Sequence, residues 1–277
     1  MSFVKQIVLK LYCVVVALAF SSSAVIAEDS SSTLLAKQLS NPVANLISVP
    51  IQFNYDRGIG PNDDGYRLTA NIQPVIPFKL SSEWTLITRT ILPVVYQDDI
   101  FPSAGSQFGL GDTVQSFFFS PKPISIGGGS AFTWGAGPAM LYRTGTDKLL
   151  SSGKWGAGPT FVGLMQSGGW TYGALANHLW SFAGDNKRSD VSTTFLQPFA
   201  SYTTSDAWTF SLTQDVTYEW ETDESSLPIN ANVSKLTTIG TQPVSIGVGT
   251  RYYLRSATGG PEGWGARLTM TFLFPTQ

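Results

Sequence analysis

The sequence predicts an all-β chain: a transmembrane antiparallel up-and-down β-barrel of about 12 strands. Three observations predict it. Apolar and polar residues alternate through segment after segment; most of these segments run 10 to 15 residues; and the connections between them alternate between long and short. Ordinary strands are only ~5–6 residues long, whereas ~9–11 are needed to cross a bilayer at a tilt.

The alternation is cleanest in the second half. Trp208, Phe210, Leu212, Gln214, Val216 and Tyr218 alternate with Thr209, Ser211, Thr213, Asp215 and Thr217, giving one apolar and one polar face. Val244 to Leu254 and Trp264 to Phe274 repeat the pattern, as do Tyr66, Leu68, Ala70 and Ile72 against Arg67, Thr69, Asn71 and Gln73. Twelve segments result, at about 46–56, 65–76, 83–96, 108–119, 129–143, 153–165, 169–182, 191–202, 207–218, 231–238, 243–255 and 263–274.

Connections after the odd-numbered segments (57–64, 97–107, 144–152, 183–190, 219–230 and 256–262) are long, and 166–168, 203–206 and 239–242 are short. Only 77–82 and 120–128 break that rule. The six long connections hold 12 of the 19 carboxylates, whereas the other five hold only Asp206. Membrane barrels show this sidedness, with longer loops outside and tight turns in the periplasm.

Residues 1–27 read as an export signal: Lys5 and Lys10, an apolar run from Leu11 to Phe20, and small residues ending at Ala27. Cys13, the only cysteine, lies in that run, so the mature chain has no thiol and neither a disulfide scaffold nor a Cys-ligated metal is expected. Without Lys5 and Lys10 there are 15 basic residues against 19 acidic ones, a net charge of −4, with no basic run to bind nucleic acid. No later segment supplies the roughly 18 consecutive apolar residues of a membrane helix. Residues 28–45 form a separate N-terminal segment, periplasmic or lumenal, and 46–277 the barrel. Leu35, Leu39, Val43 and Leu46-Ile47 predict a short amphipathic helix within 34–48, interrupted at Asn41-Pro42.

Trp-Gly-Ala-Gly-Pro occurs twice, at Trp134 to Pro138 and at Trp155 to Pro159. On neighbouring antiparallel strands the repeat puts Trp134 and Trp155 toward opposite ends of the barrel. With Trp170, Trp208 and Trp264 they are the candidate interface aromatics, since an indole seeks an apolar place for its ring and a wet one for its N–H. Pro74, Pro93, Pro138, Pro159, Pro198 and Pro243 each remove a ladder donor, and local bulges are expected there.

The barrel's chemistry belongs on its inward face. Gln52, Asn54, Asn71 and Gln73 fall there, as do the lumen and selectivity candidates Arg67, Arg89, Asp215, Arg251, Arg255 and Arg267. Excess fixed positive charge in a narrow pore raises the local concentration of anions. The alternative is a set of ladders to Asp215, Asp112 or Glu83 that only hold the lumen together. An enzyme is not expected: His178 is the single histidine, and Ser181, three residues on, projects from the opposite face. No cofactor or metal site is indicated.

Several stretches, "GLGDTVQSFFFSP" (Gly109 to Pro121), "KWGAGPT" (Lys154 to Thr160), "GALANHLWSFAG" (Gly173 to Gly184), "QPVSIGVGTRYY" (Gln242 to Tyr253) and "GGPEGWGARLTMTFLFP" (Gly259 to Pro275), resemble the envelope-protein family named for the MetA pathway of phenol degradation. The resemblance implies an outer-membrane barrel that takes up small, aromatic or hydrophobic, compounds, and it supplies no catalytic residues. Phe272 and Phe274 are the expected signal for the barrel-assembly machinery. The partners expected are therefore outer-membrane lipid, that machinery and a small solute. The alternatives to a channel are a closed structural or surface-binding barrel, a lipid-modifying barrel enzyme and a soluble secreted β-sandwich.

Overall fold

The computed structural model describes residues 28 to 275. The expected export signal at 1–27 lies outside them. The described residues open with a helix, α1 (Glu28–Leu39), and continue as strand segments only: β1 (Ile47–Ile59), β2 (Gly65–Ile72), β3 (Val75–Lys79), β4 (Trp84–Asp98), β5 (Gln107–Leu110), β6 (Thr113–Pro121), β7 (Ile124–Gly127), β8 (Ser130–Tyr142), β9 (Lys154–Ser167), β10 (Trp170–Gly184), β11 (Ser192–Thr203), β12 (Trp208–Gln214), β13 (Val216–Glu219), β14 (Glu224–Ser226), β15 (Pro228–Ile239), β16 (Gln242–Tyr253) and β17 (Gly263–Phe274). Consecutive pieces of one span account for the excess, and the result is a closed antiparallel barrel of 12 strands. Closure is between β1 and β17, from Ile47↔Phe274 to Tyr55↔Ala266. No helix of the described residues is long and apolar enough to cross a membrane.

One end of the barrel carries only turns of two to four residues, at 80–83, 128–129, 168–169, 204–207 and 240–241. The other carries the longer connections, including 99–106, 143–153 and 254–262. Two expectations change in this light. Residues 120–128 are not a loop, because β7 extends the strand to Gly127, and Gly127, Gly128 and Gly129 make the turn at φ of 87°, 59° and 74°. Residues 219–230 are not one either: β13 and β14 pair as a hairpin, Thr217↔Ser226 to Glu219↔Glu224.

The alternation read from the sequence sorts the side chains as a membrane barrel requires. Thr209, Ser211 and Thr213 line the lumen, while Phe210 and Leu212 on the same strand are half exposed outward, as are Phe161, Val248 and Trp264. In water that belt is unfavourable; against hydrocarbon it is the surface that contacts lipid. The exposure of Trp264 also excludes the soluble β-sandwich, in which a second sheet would cover it.

The repeated Trp-Gly-Ala-Gly-Pro now has a packing explanation. Pro138 pairs with Pro159 across β8 and β9, and each interrupts the ladder on its other side. The β6–β8 pairing skips from Ser116↔Ala139 to Phe119↔Ala136, and β9–β10 from Asn177↔Thr160 to Trp180↔Ala157. Neither skip changes the register, so the bulges expected at Pro138 and Pro159 are absent. The register also runs unshifted through Pro74, Pro198 and Pro243. Only opposite Pro93 does the pairing slip, from Val94↔Leu110 to Ile91↔Val114, with the extra residue at Gly111-Asp112.

The glycine before each proline makes room for the neighbouring strand. A Cβ on Gly137 would sit 2.0 Å from the Phe117 carbonyl oxygen, and one on Gly158 1.8 Å from that of His178. Gly158→Ala must therefore push two strands apart. It is expected to lower stability by ~1–3 kcal/mol, the range of an overpacked core, read as a lower midpoint in heat-modifiable gel mobility.

Candidate functional site

The lumen is the concave, polar part of the molecule, and three features shape it: a charged wall, an apolar wall and the N-terminal segment.

The charged wall is built by β1, β2 and β12 to β17. Asp56 and Arg251 form a buried ion pair, Nη1 to Oδ2 at 3.3 Å. Arg267 reaches Asp215 at 3.6 Å and donates from Nε to Asn54 Oδ1 at 2.8 Å. It spans that distance because Gly247 and Gly249 put no side chain on the lumenal face of β16. A Cβ on Gly249 would meet Asn232 Oδ1 at 1.9 Å. Asp215 also accepts from Gln197 and Asn230, at 2.7 and 3.0 Å. Arg67 donates to Gln97 Oε1 at 2.9 Å, and Gln97 donates in turn to Gln107.

Four arginines, Arg67, Arg89, Arg251 and Arg267, thus face two aspartates in mid-lumen. Among the described residues the buried atoms Asp56 Oδ1, Asn230 Oδ1, Asn232 Oδ1 and Arg251 Nε have no protein hydrogen-bond partner. Arg255 stands apart from its expected cluster. It is exposed, two residues past the end of β16, in the 254–262 connection.

The apolar wall was missed by reading polar residues as inward throughout. Ile87, Phe118, Val162, Leu164 and Leu175, from β4, β6, β9 and β10, are buried on the lumenal side, with Val43 packed on them. The signal was present in runs such as Phe117-Phe118-Phe119, where alternation fails and both faces are apolar.

The N-terminal segment explains why those side chains turn inward. α1 starts and ends earlier than the 34–48 helix expected, with Lys37 in its last turn. Residue 41, before Pro42, is biased away from the helical region. The Asn41 side chain accepts from the Val43 amide at 2.9 Å, bending the chain into the lumen. There Ala36 and Leu46 pack with Ala207, Leu236 and Leu273. Polar ties add to this docking: Asn41 donates to Gln166, whose amide donates to the Lys37 carbonyl at 3.1 Å, and Thr33 donates to the Ser205 carbonyl at 2.6 Å. The segment lies across the turn end of the barrel.

At the loop end, Asp112 gathers the 143–153 connection. Its carboxylate accepts from the amides of Gly145 and Ser152 and from the hydroxyls of Ser151 and Ser152, at 2.6–3.0 Å. Lys154, nearly buried, pairs at 2.7 Å with exposed Asp190. Hydrogen bonds from Lys154 and Ser181 hold the Asp190 carboxyl below its ordinary value. A carboxyl depressed in the folded state contributes its stabilisation above its unfolded pKa and loses it as pH falls through the folded one. The tie should therefore persist below the usual Asp value of ~3.9 and fail only in stronger acid. Tryptic cutting after Lys187 or Arg188 is expected to be slow at neutral pH and faster in Asp190→Asn.

The aromatics divide between the two ends. Trp134 meets Trp84 edge-on at 6.2 Å, Trp170 lies 5.1 Å from Tyr202, and Lys235 lies over Trp208, all at the turn end. Trp155 contacts Tyr142 at 5.8 Å and Trp264 contacts Tyr252 at 4.9 Å, both at the loop end. Trp180 and Trp220, which were not singled out from the sequence, join them there. Phe272 and Phe274 lie on β17, opposite Val49 and Ile47 of β1. His178 bonds Thr194 Oγ1 at 2.7 Å, whereas Ser181 donates to Asp190 at 3.1 Å, so these two side chains serve different partners.

No protein-family model and no curated protein matches the chain. Among solved structures it is similar to the COG4313 outer membrane channel from Pseudomonas putida F1, with a TM-score of 0.64 at 12% identity, over 83% of this chain and 96% of that one. The NanC porin (TM-score 0.48, 10% identity, 82% and 100% covered) and an outer membrane phospholipase from Salmonella typhi (0.46, 11%, 91% and 99%) also match. At such identities the likeness to the first shows the fold, and the other two add no argument.

Proposed function

We propose that the protein is an exported outer-membrane channel through which small solutes diffuse, anions preferentially. The carrying observation is the middle of the lumen, where, among the described residues, Arg67, Arg89, Arg251 and Arg267 stand against Asp56 and Asp215 and leave a positive excess. A fixed positive field in a low-dielectric bore concentrates anions. The apolar wall opposite suits solutes with an aromatic or aliphatic body, in keeping with the resemblance to the MetA-pathway envelope family. Chemistry on the solute is not part of this reading, since His178 and Ser181 are engaged apart from each other. Phe272 and Phe274 would serve recognition by the assembly machinery.

The test is a planar bilayer. Reproducible conductance steps with anion preference are expected, and Arg67→Glu should shift the reversal potential toward cation selectivity. Arg67 suits the purpose because its side-chain hydrogen bond among the described residues is to neutral Gln97 and not to a carboxylate. A correctly folded barrel that stays silent would overturn the reading. It would favour the second one, a closed structural or surface-binding barrel, which the docked N-terminal segment independently supports.

A further inference from the structure

We infer that the lumen holds a binding site for a small monocarboxylate with an apolar body, anchored by Arg89. This deepens the channel reading by naming a solute class, and rests on it only for its physiological sense.

Arg89 differs from Arg67, which also lacks an ion pair among the described residues, in lining a cavity, and from the other two lumenal arginines in lacking a carboxylate partner. Arg251 and Arg267 each have a carboxylate partner. Among the described residues Arg89 has a single hydrogen bond, from Nη2 to Gln73 Oε1 at 3.0 Å, and no ion pair. Asp215 acts on it only from a distance and is already held by Arg267, Gln197 and Asn230. A guanidinium has five N–H donors in a planar fork, so most of its donor capacity is unspent. The Gln73 amide accepts from Arg89, and its NH2 has no protein partner among the described residues.

These donors face space. Two hollows, about 150 and 310 Å³ in volume, share Arg89, Gln73 and Gln197 in their walls. The larger reaches the low end of the ~300–1,000 Å³ usual for small-molecule pockets. Their floor is the N-terminal segment, through Leu39 and Pro42, and their apolar lining includes Val75 in one and Phe199 in the other.

The chemistry of the ligand follows. A guanidinium with most of its donors unspent is best met by an anion, and the fork matches a carboxylate with two parallel bonds. One unpaired cation calls for a single negative charge. Leu39, Val75 and Phe199 reward an apolar body, and the volume excludes large ones.

The test is a titration of the detergent-purified mature protein with sodium benzoate, followed by intrinsic fluorescence and by thermal midpoint, with benzyl alcohol as the neutral probe. Saturable benzoate binding is expected, with benzyl alcohol at least tenfold weaker. Arg89→Gln should weaken benzoate at least tenfold and Arg89→Lys less, while exposed Arg255→Gln leaves it unchanged. Heat-modifiable gel mobility checks that each variant folds; should Arg89→Gln not fold, Gln73→Leu removes a proposed donor and must weaken benzoate. The proposal is overturned by an absence of saturable benzoate binding, by equal binding of benzyl alcohol, or by folded variants that bind benzoate as the parent does. Because the readout is binding, a barrel that conducts without binding benzoate sinks this site alone, and one that binds without conducting sinks the channel reading alone.

Discussion

Removing residues 28 to 45 from the mature chain is expected to raise single-channel conductance several-fold. The segment lies across the turn end of the barrel, with Val43 in the apolar wall and Ala36 in the cluster of Leu236 and Leu273. The barrel itself does not need it, because closure begins at Ile47↔Phe274. The truncated protein should still fold and show heat-modifiable mobility, at the cost of ~1.5–3 kcal/mol for each large apolar side chain no longer buried. Planar-bilayer recording of parent and truncated proteins under the same salt reads the difference. Equal conductance in the two would show that the segment does not obstruct the path.

Asp56→Ala should produce the largest loss of stability of any single lumenal substitution. Asp56 and Arg251 are both almost entirely buried, and deleting the acid leaves a guanidinium without its counter-charge. Breaking a buried pair by removing one partner costs ~3–5 kcal/mol, whereas replacing both partners with apolar residues of similar volume is often neutral. Asp56→Leu combined with Arg251→Met should therefore recover most of the loss, which separates charge burial from packing. The midpoint of heat-modifiable mobility measures both. A small effect of Asp56→Ala would mean that the pair is well hydrated and contributes little.

Much of this architecture was legible before the structure, and the reason is local. A strand in a barrel wall has two environments on its two faces, so Trp208 to Tyr218 displays its orientation in its own order of residues. Trp134 and Trp155 could be assigned to opposite ends from the spacing of one repeat. The lumenal arginines followed from the same parity, and Arg67, Arg251 and Arg267 do lie in the lumen, with Arg89 beside its cavities. Arg255 failed because parity says which side a residue faces and nothing about where the strand stops.

By itself, then, the sequence determined the barrel, its strand count, its sidedness and its charged lumenal wall, since each depends on period-two patterning and turn chemistry within a few residues. The tertiary structure alone decided what fills the bore: the N-terminal segment docked on an apolar wall, the ion pairs Asp56–Arg251 and Asp215–Arg267, and an Arg89 left without a carboxylate. Those features join residues up to about 200 positions apart, and which of several inward charges meet depends on strand stagger and on the glycines that clear the way between them. No local pattern encodes such distances; only closing the sheet brings them to a common value.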